Sequence, residues 1–259
     1  MSNSNTALVT GASSGIGMEL ARIHAAKGYD VVIVARTEDA LNSLKQELES
    51  AFKVKVWVIA EDLVEPESAQ RIYQQTKSNG IEITTLINNA GFGGHGLFHE
   101  RDLAKDQAMM QVNMVTLTNL THYYLQDMIK AKYGRILNVS STASFMPGPL
   151  QAVYYATKAY VTSFTQAIAE EVRDYNITAT ALCPGTVATG FVSSGDLDGV
   201  SAWDNAKTPK SVAEVGYRDM EKGELVSFNE KGLKFMTNWI MPLLPRKKVL
   251  KISRQFMEK

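Results

Sequence analysis

The chain is 259 residues long, 45% hydrophobic and 21% charged, with 27 basic and 27 acidic residues. That length suits one α/β domain and lets the fold bury about three quarters of the surface the unfolded chain exposes. A formal net charge of zero gives no overall reason to expect nucleic acid or an anionic membrane as partner, and the single cysteine, Cys183, excludes an intrachain disulfide or a cysteine-based metal cluster. The opening MSNSNTALVTG has neither the basic nor the apolar region of a signal peptide, and no apolar run approaches the roughly 20 residues that span a bilayer. The expected address is the cytoplasm, with no transmembrane segment.

Short β-branched runs alternate with longer amphipathic stretches. TALVT (6–10) and VVIVA (31–35) predict the first two strands. Thr37 is placed to cap a helix over EDALNSLKQELESAF, with Glu38 and Asp39 in its first turn and Leu41, Leu44, Leu48 and Phe52 on one face. VKVWVIA (54–60) predicts the third strand; Pro66 suits the first turn of the next helix and Gly80 its end. TTLIN (84–88), RILNVS (135–140) and ITATALC (177–183) predict further strands, with long helices over about 104–132 and 153–174. The strand runs are continuously apolar rather than alternating, as in a parallel sheet covered on both faces. The alternation predicts a doubly wound, Rossmann-like α/β fold. No repeat, low-complexity segment or Pro/Gly-rich linker divides the chain, so 1–259 is read as one domain. Residues 188–209 are rich in Gly, Ser and Asp and predict a long loop with short helices; 188–222 is read as a lid over substrate. ELVSF (224–228) predicts a final strand.

TGASSGIG, Thr10 to Gly17, lies between the first strand and the first helix. Glycine at such a turn permits unusual dihedrals and lets a diphosphate approach the N–H groups of a helix start. Gly11, Ser13, Ser14, Gly15, Ile16 and Gly17 are the candidate phosphate contacts, against the plainer reading of a glycine-rich turn. The second strand ends in Ala35 and Arg36 rather than in an acidic residue. An arginine there can pair with a ribose 2′-phosphate, so NADP(H) is expected over NAD(H); a solvated arginine is the alternative. Asp62, with Leu63, is a candidate for the adenine, or a turn residue. NNAG (88–91) closes the fourth strand, with Asn89, Ala90 and Gly91 beside the cofactor or in a simple asparagine turn.

These segments, together with Asn113 in QVNMVTLTNL, GRILNVSS, YYATK and CPGTVAT (183–189), occur in the order found in the short-chain dehydrogenase/reductase superfamily, which the chain resembles from about residue 6 to 189. The resemblance implies a Tyr-x-x-x-Lys pair with a serine thirteen residues before the tyrosine. Tyr154 meets both spacings, with Lys158 and Ser141; Tyr155 and Tyr160 have no lysine four residues on, and read as packing or outer-face residues. Residues four apart share a helix face, so Lys158 is expected to lower the Tyr154 pKa. The implied reaction is hydride transfer between a nicotinamide and a carbonyl. Tyr154 would act as acid/base, Ser141 would hold the carbonyl oxygen, Lys158 the nicotinamide ribose, and Asn113 a water linked to Lys158. Pro184, Gly185, Val187 and Thr189 would line the nicotinamide. His95 and His99 have no partner spacing and read as loop or surface residues. Cys183 reads as a small buried hydrophobe.

The glycine-rich segment that builds a tetramer in many relatives is missing, which leaves a homodimer through the long helices. The segment 231–259 mixes an apolar cluster with basic residues. It is read as a cover over the substrate mouth, a peripheral membrane contact, or a patch packed on the domain. The functional alternative to an enzyme is a non-catalytic NADP(H)-binding sensor or scaffold. The substrate stays open, with a lean to apolar carbonyls such as 3-oxoacyl or steroid-like compounds.

Overall fold

The computed structural model describes residues 5–259. Seven parallel strands form one sheet in the order β3-β2-β1-β4-β5-β6-β7. They are β1 (Thr6–Thr10), β2 (Val31–Ala35), β3 (Val56–Ala60), β4 (Ile83–Asn88), β5 (Gly134–Val139), β6 (Ile177–Leu182) and β7 (Val226–Ser227). The helices are α1 (Gly15–Ala26), α2 (Glu38–Phe52), α3 (Ser68–Ser78), α4 (Leu103–Met110), α5 (Leu117–Ala131), α6 (Ala152–Glu171), α7 (Phe191–Ser194), α8 (Pro209–Lys222), α9 (Lys231–Phe235) and α10 (Arg246–Met257). The Rossmann-like doubly wound sheet expected from the apolar strand runs is the architecture present.

The strands build two cores because their side chains alternate between faces. Val9 and Ile33 on one face pack with Leu20 of α1, Leu41 and Leu48 of α2, and Val212 and Tyr217 of α8. Leu8, Val32 and Leu86 on the other pack with Ile72 of α3, Leu120, Tyr124 and Met128 of α5, and Ile168 of α6. Strand order reverses between β1 and β4, so the C-terminal ends of these two strands flank the crevice where open α/β sheets bind ligands.

Local expectations fail where tertiary contacts intervene. Thr37 is the N-cap of α2, but its side chain makes no capping bond and borders the crevice instead. Phe52 ends the α2 stripe half exposed, since the chain turns away through Lys53 in the left-handed conformation. Pro66 lies in the tight turn before α3, closed by Ser68 N–H donating to Glu65 O, rather than in the first turn. The stretch predicted as one helix over 104–132 contains a π turn, Gln111–Thr116, between α4 and α5. The segment read as a lid divides at Thr208, which caps α8 by accepting from Ser211 N–H. Val212, Ala213, Gly216, Tyr217 and Met220 bury α8 against the sheet, so only the first part of 188–222 is free to border a cleft.

His24 of α1 is buried, with Nδ1 on the Tyr217 hydroxyl at 2.8 Å and Nε2 donating to Asn5 O at 2.9 Å. Burial pushes it down to about 4 from the ordinary 6.5. The unfolded chain then binds the extra proton between these values, so stability falls as pH drops from about 6.5 towards 4. Urea melts across that range should show the loss, and a His24→Gln variant should flatten it.

Candidate active site

A cleft of about 790 Å³ lies at the C-terminal ends of the strands. One wall is the glycine loop. Gly11 has φ +65°, and a Cβ there would sit 2.9 Å from Ala90 Cα, so only glycine lets the loop after β1 pass the end of β4. Thr10 explains the motif's first position: its hydroxyl accepts from both Asn89 N–H and Ala90 N–H at 3.0 Å. Asn89 returns the bond, donating from Nδ2 to Thr10 O at 2.9 Å. Asn88 instead points into the sheet, bonded to Thr121 and Asn138. Ser14 is the N-cap of α1 and makes no side-chain capping bond, so its hydroxyl and the first-turn N–H groups face the cleft.

Gly11, Ser13, Ser14, Gly15 and Ile16 all border the cleft, as do Arg36, Asp62, Leu63, Asn89, Ala90 and Gly91. Gly17 does not. It packs behind the loop, where a Cβ would collide with Gly11 O and Asn89 Nδ2. Arg36 is exposed and has no carboxylate partner among the described residues, while neighbouring Glu61 is held by Arg71 at 2.7 Å. Asp62 Oδ1 accepts from Val64 N–H at 3.1 Å, the turn role that the sequence left open. On the far side Pro184, Gly185, Val187 and Thr189 border the cleft, and Thr189 lies against Gly15.

Ser141, Tyr154 and Lys158 meet at the inner end. The two serines that follow β5 part company there. Ser140 donates to Lys158 O at 3.0 Å and bonds Thr162, tying β5 to α6, while Ser141 borders the cleft and accepts from Ala143 N–H at 3.1 Å. Lys158 Nζ donates to Val139 O at 2.8 Å and lies 5.8 Å from the Tyr154 ring centroid. Burial lowers Lys158 to about 8. The expected lowering of Tyr154 is not what this geometry gives. Burial pushes the phenol up, outweighing the neighbouring Ser141 hydroxyl, and Lys158 is turned towards Val139.

Asn113 stands behind the wall within the π turn. Its amide accepts from Phe92 N–H at 3.2 Å and donates to Phe92 O and Thr157 Oγ1 at 3.0 and 3.1 Å. It therefore clamps the chain after Gly91, beside Lys158. A π turn shifts helix register by one residue, and such turns recur at functional sites.

Further cleft residues come from the segments read as a lid (188–222) and as a possible cover over the substrate mouth (231–259), where the sequence singled out no individual contact. Phe191 lies tilted 5.2 Å from Tyr154, and Trp203 stacks 6.4 Å from Phe191, forming an aromatic wall. Tyr155, read as packing or outer-face, borders the cleft and packs edge-on to Tyr154. Met236, Met241, Ile252, Phe256 and Met257 from the C-terminal segment close the outer end. His95 donates to Met257 O at 2.7 Å, fastening that segment, whereas His99 is exposed. Gln151 Nε2, Trp203 Nε1 and Ser253 Oγ are buried on cleft residues without hydrogen-bond partners among the described residues. The Gly-, Ser- and Asp-rich stretch 188–209 and the C-terminal segment carry no periodic signal that singles out these side chains. Cys183 is buried, as expected.

A parallel sheet that opens at its switch point onto a glycine loop and a helix N-terminus defines a dinucleotide-binding fold. A family model described as short chain dehydrogenase matches residues 5–198. The very-long-chain 3-oxoacyl-CoA reductase of Macaca fascicularis is 30% identical over 95% of this chain and 78% of its own. A short-chain dehydrogenase from Sphingobium yanoikuyae, solved in complex with NADPH, superposes with TM-score 0.83 at 26% identity, covering 93% of this chain and 96% of that one. The bulky-bulky ketone specific alcohol dehydrogenase from Comamonas testosteroni gives TM-score 0.79 at 25% identity, covering 95% and 96%. The chain belongs to the short-chain dehydrogenase/reductase family and is an oxidoreductase of that family.

Proposed function

We propose that the protein reduces an apolar ketone, or oxidises the matching secondary alcohol, with NADP(H) as cofactor. The observation that carries this is the meeting of Ser141, Tyr154 and Lys158 at the inner end of a cleft whose other end is the glycine loop. The chain fits a dinucleotide: free donors at the start of α1 suit a diphosphate, and Arg36 with the Thr37 hydroxyl suits a 2′-phosphate. Bound there, a nicotinamide supplies or takes up hydride.

The chain's own groups do the rest. Tyr154 stays protonated in its buried site, the form that donates to a carbonyl oxygen during reduction. Ser141 offers a second donor to that oxygen as charge develops. Lys158, held by Val139 O at one edge of the site, is placed to contact the ribose and to feed the phenol. Asn113 holds the Phe92 backbone and so positions Gly91 and Lys158; both amide hydrogens are engaged, and Oδ1 keeps a second lone pair that could accept from a water.

The substrate class follows from the walls. Phe191, Trp203 and the methionines of the C-terminal segment suit an extended apolar body. The printed substrates of the relatives, a very-long-chain 3-oxoacyl-CoA and bulky-bulky ketones, are of that kind. A homodimer through the exposed Leu103, Val115 and Tyr160 on the long helices and a cytoplasmic address complete the reading.

The test is NADPH oxidation against a ketone panel graded in size and polarity. Long 3-oxoacyl thioesters and steroid ketones should turn over with kcat/KM well above that of small polar ketones; the reverse order would refute the apolar assignment. For the cofactor, Arg36→Asp should lower kcat/KM for NADPH by about 10- to 100-fold, the loss of one charge-assisted bidentate pair, and raise that for NADH. Unchanged preference would remove Arg36 from the 2′-phosphate.

A further inference from the structure

The C-terminal segment has two sides, and the cleft uses one. In α10, Val249, Ser253 and Met257, four residues apart, are buried and face inward. Lys247, Leu250, Lys251 and Arg254 fall on the outer face by the same spacing, and all are exposed. Upstream, Phe235, Trp239, Ile240 and Leu243 are exposed as well, Trp239 to 67% and Leu243 to 83%. Large apolar groups gathered this densely on a surface mark a binding face.

Charge says which partner. Residues 231–259 carry eight basic residues and one acidic, while the remaining 230 carry nineteen basic and twenty-six acidic. The zero net charge of the chain thus hides a strongly basic end on an acidic body. The carboxylate pairs of this segment are Arg254–Glu258 and Lys259–Asp196; Lys234, Arg246, Lys247, Lys248 and Lys251 have none among the described residues. A second copy of the chain is disfavoured, because a twofold contact would set two like-charged patches against each other. A surface that pairs unneutralised lysines with protruding Trp, Phe and Leu suits an anionic lipid interface, where rings and aliphatic groups enter the headgroup boundary and ammonium groups stay at the phosphates. Among the described residues no helix is long and apolar enough to cross a membrane, so the contact is peripheral.

We propose that residues 231–259 dock the protein on an anionic bilayer. The same segment supplies Met236, Met241, Ile252, Phe256 and Met257 to the outer wall of the cleft, so docking brings the cleft mouth to the lipid boundary. An apolar substrate dissolved in the bilayer then reaches the site without crossing bulk water. This step rests on the apolar-substrate reading, but the docking itself is measured without turnover.

The experiment is cosedimentation of the full chain with phosphatidylcholine vesicles, with and without phosphatidylglycerol. Binding should require the anionic lipid and weaken as salt is raised. The double variant Trp239→Ser/Leu243→Ser should lose at least about tenfold in partition, the apolar half of an interfacial contact. Lys247→Glu/Lys248→Glu should abolish the preference for anionic lipid. Both should keep the parent's melting temperature, since these side chains are exposed. The proposal is overturned if the parent does not sediment with anionic vesicles at low salt. Equal binding by the parent and both variants overturns it too. So does a lipid-free protein whose mass in analytical ultracentrifugation halves on the Trp239/Leu243 change, which would make the patch a self-association face.

Discussion

Replacing Tyr154 with phenylalanine is expected to lower kcat/KM by about 10²- to 10⁴-fold, the usual contribution of one positioned proton donor. The ring stays, so its tilted contact with Phe191 and its edge contact with Tyr155 stay with it. The glycine loop and Arg36 are at the other end of the cleft, so NADPH affinity, followed by the fluorescence of the bound reduced cofactor, should hardly change. The hydroxyl removed is buried and pushed towards its protonated form, so the variant also loses a desolvated polar atom and should melt no lower than the parent. Retained turnover in a folded, NADPH-binding variant would dismiss the acid/base role of Tyr154.

Lys158→Met is expected to abolish turnover to a similar degree and, unusually for an active-site change, to leave the fold as stable or more so at neutral pH. A buried ammonium whose pKa falls from 10.5 to about 8 carries a folding penalty on the order of 3 kcal/mol below pH 8. The unfolded chain binds the proton more tightly between the two values, so stability of the parent should rise as pH goes from about 8 to 10.5. Methionine has no proton to lose, so that rise should vanish from the difference between the two proteins. The Val139 carbonyl loses its donor, which costs about 1–3 kcal/mol and offsets much of the gain. Denaturant melts of both proteins at pH 7, 8, 9 and 10 give the comparison. A parallel pair of curves would show that Lys158 is not a strained buried cation.

These variants bear on the difference between spacing and environment. Residues 154 and 158 share a helix face, and the Ser141 spacing singles out one tyrosine among three; both facts are properties of the chain. Whether a lysine lowers a tyrosine's pKa depends on where its Nζ points and how much water reaches either group. Here a carbonyl from β5 captures the Nζ and burial acts on both, so the sequence-based direction for Tyr154 is reversed. Asn113 is similar: its position in the chain marks it, but the π turn that aims its amide at Phe92 has no periodic signature.

The sequence by itself determined the parallel sheet, the glycine loop, the order of the motifs and the Ser141, Tyr154 and Lys158 set. Each of these depends on side-chain period, backbone freedom or short spacings within one or two elements. Tertiary structure alone decided that α8 belongs to the core, and that Phe191 and Trp203 wall the cleft. It also decided that His95 fastens the C-terminal segment across its mouth. Those contacts join residues tens to more than a hundred positions apart, in stretches whose local pattern is weak. Burial and charge there depend on what the rest of the chain brings alongside.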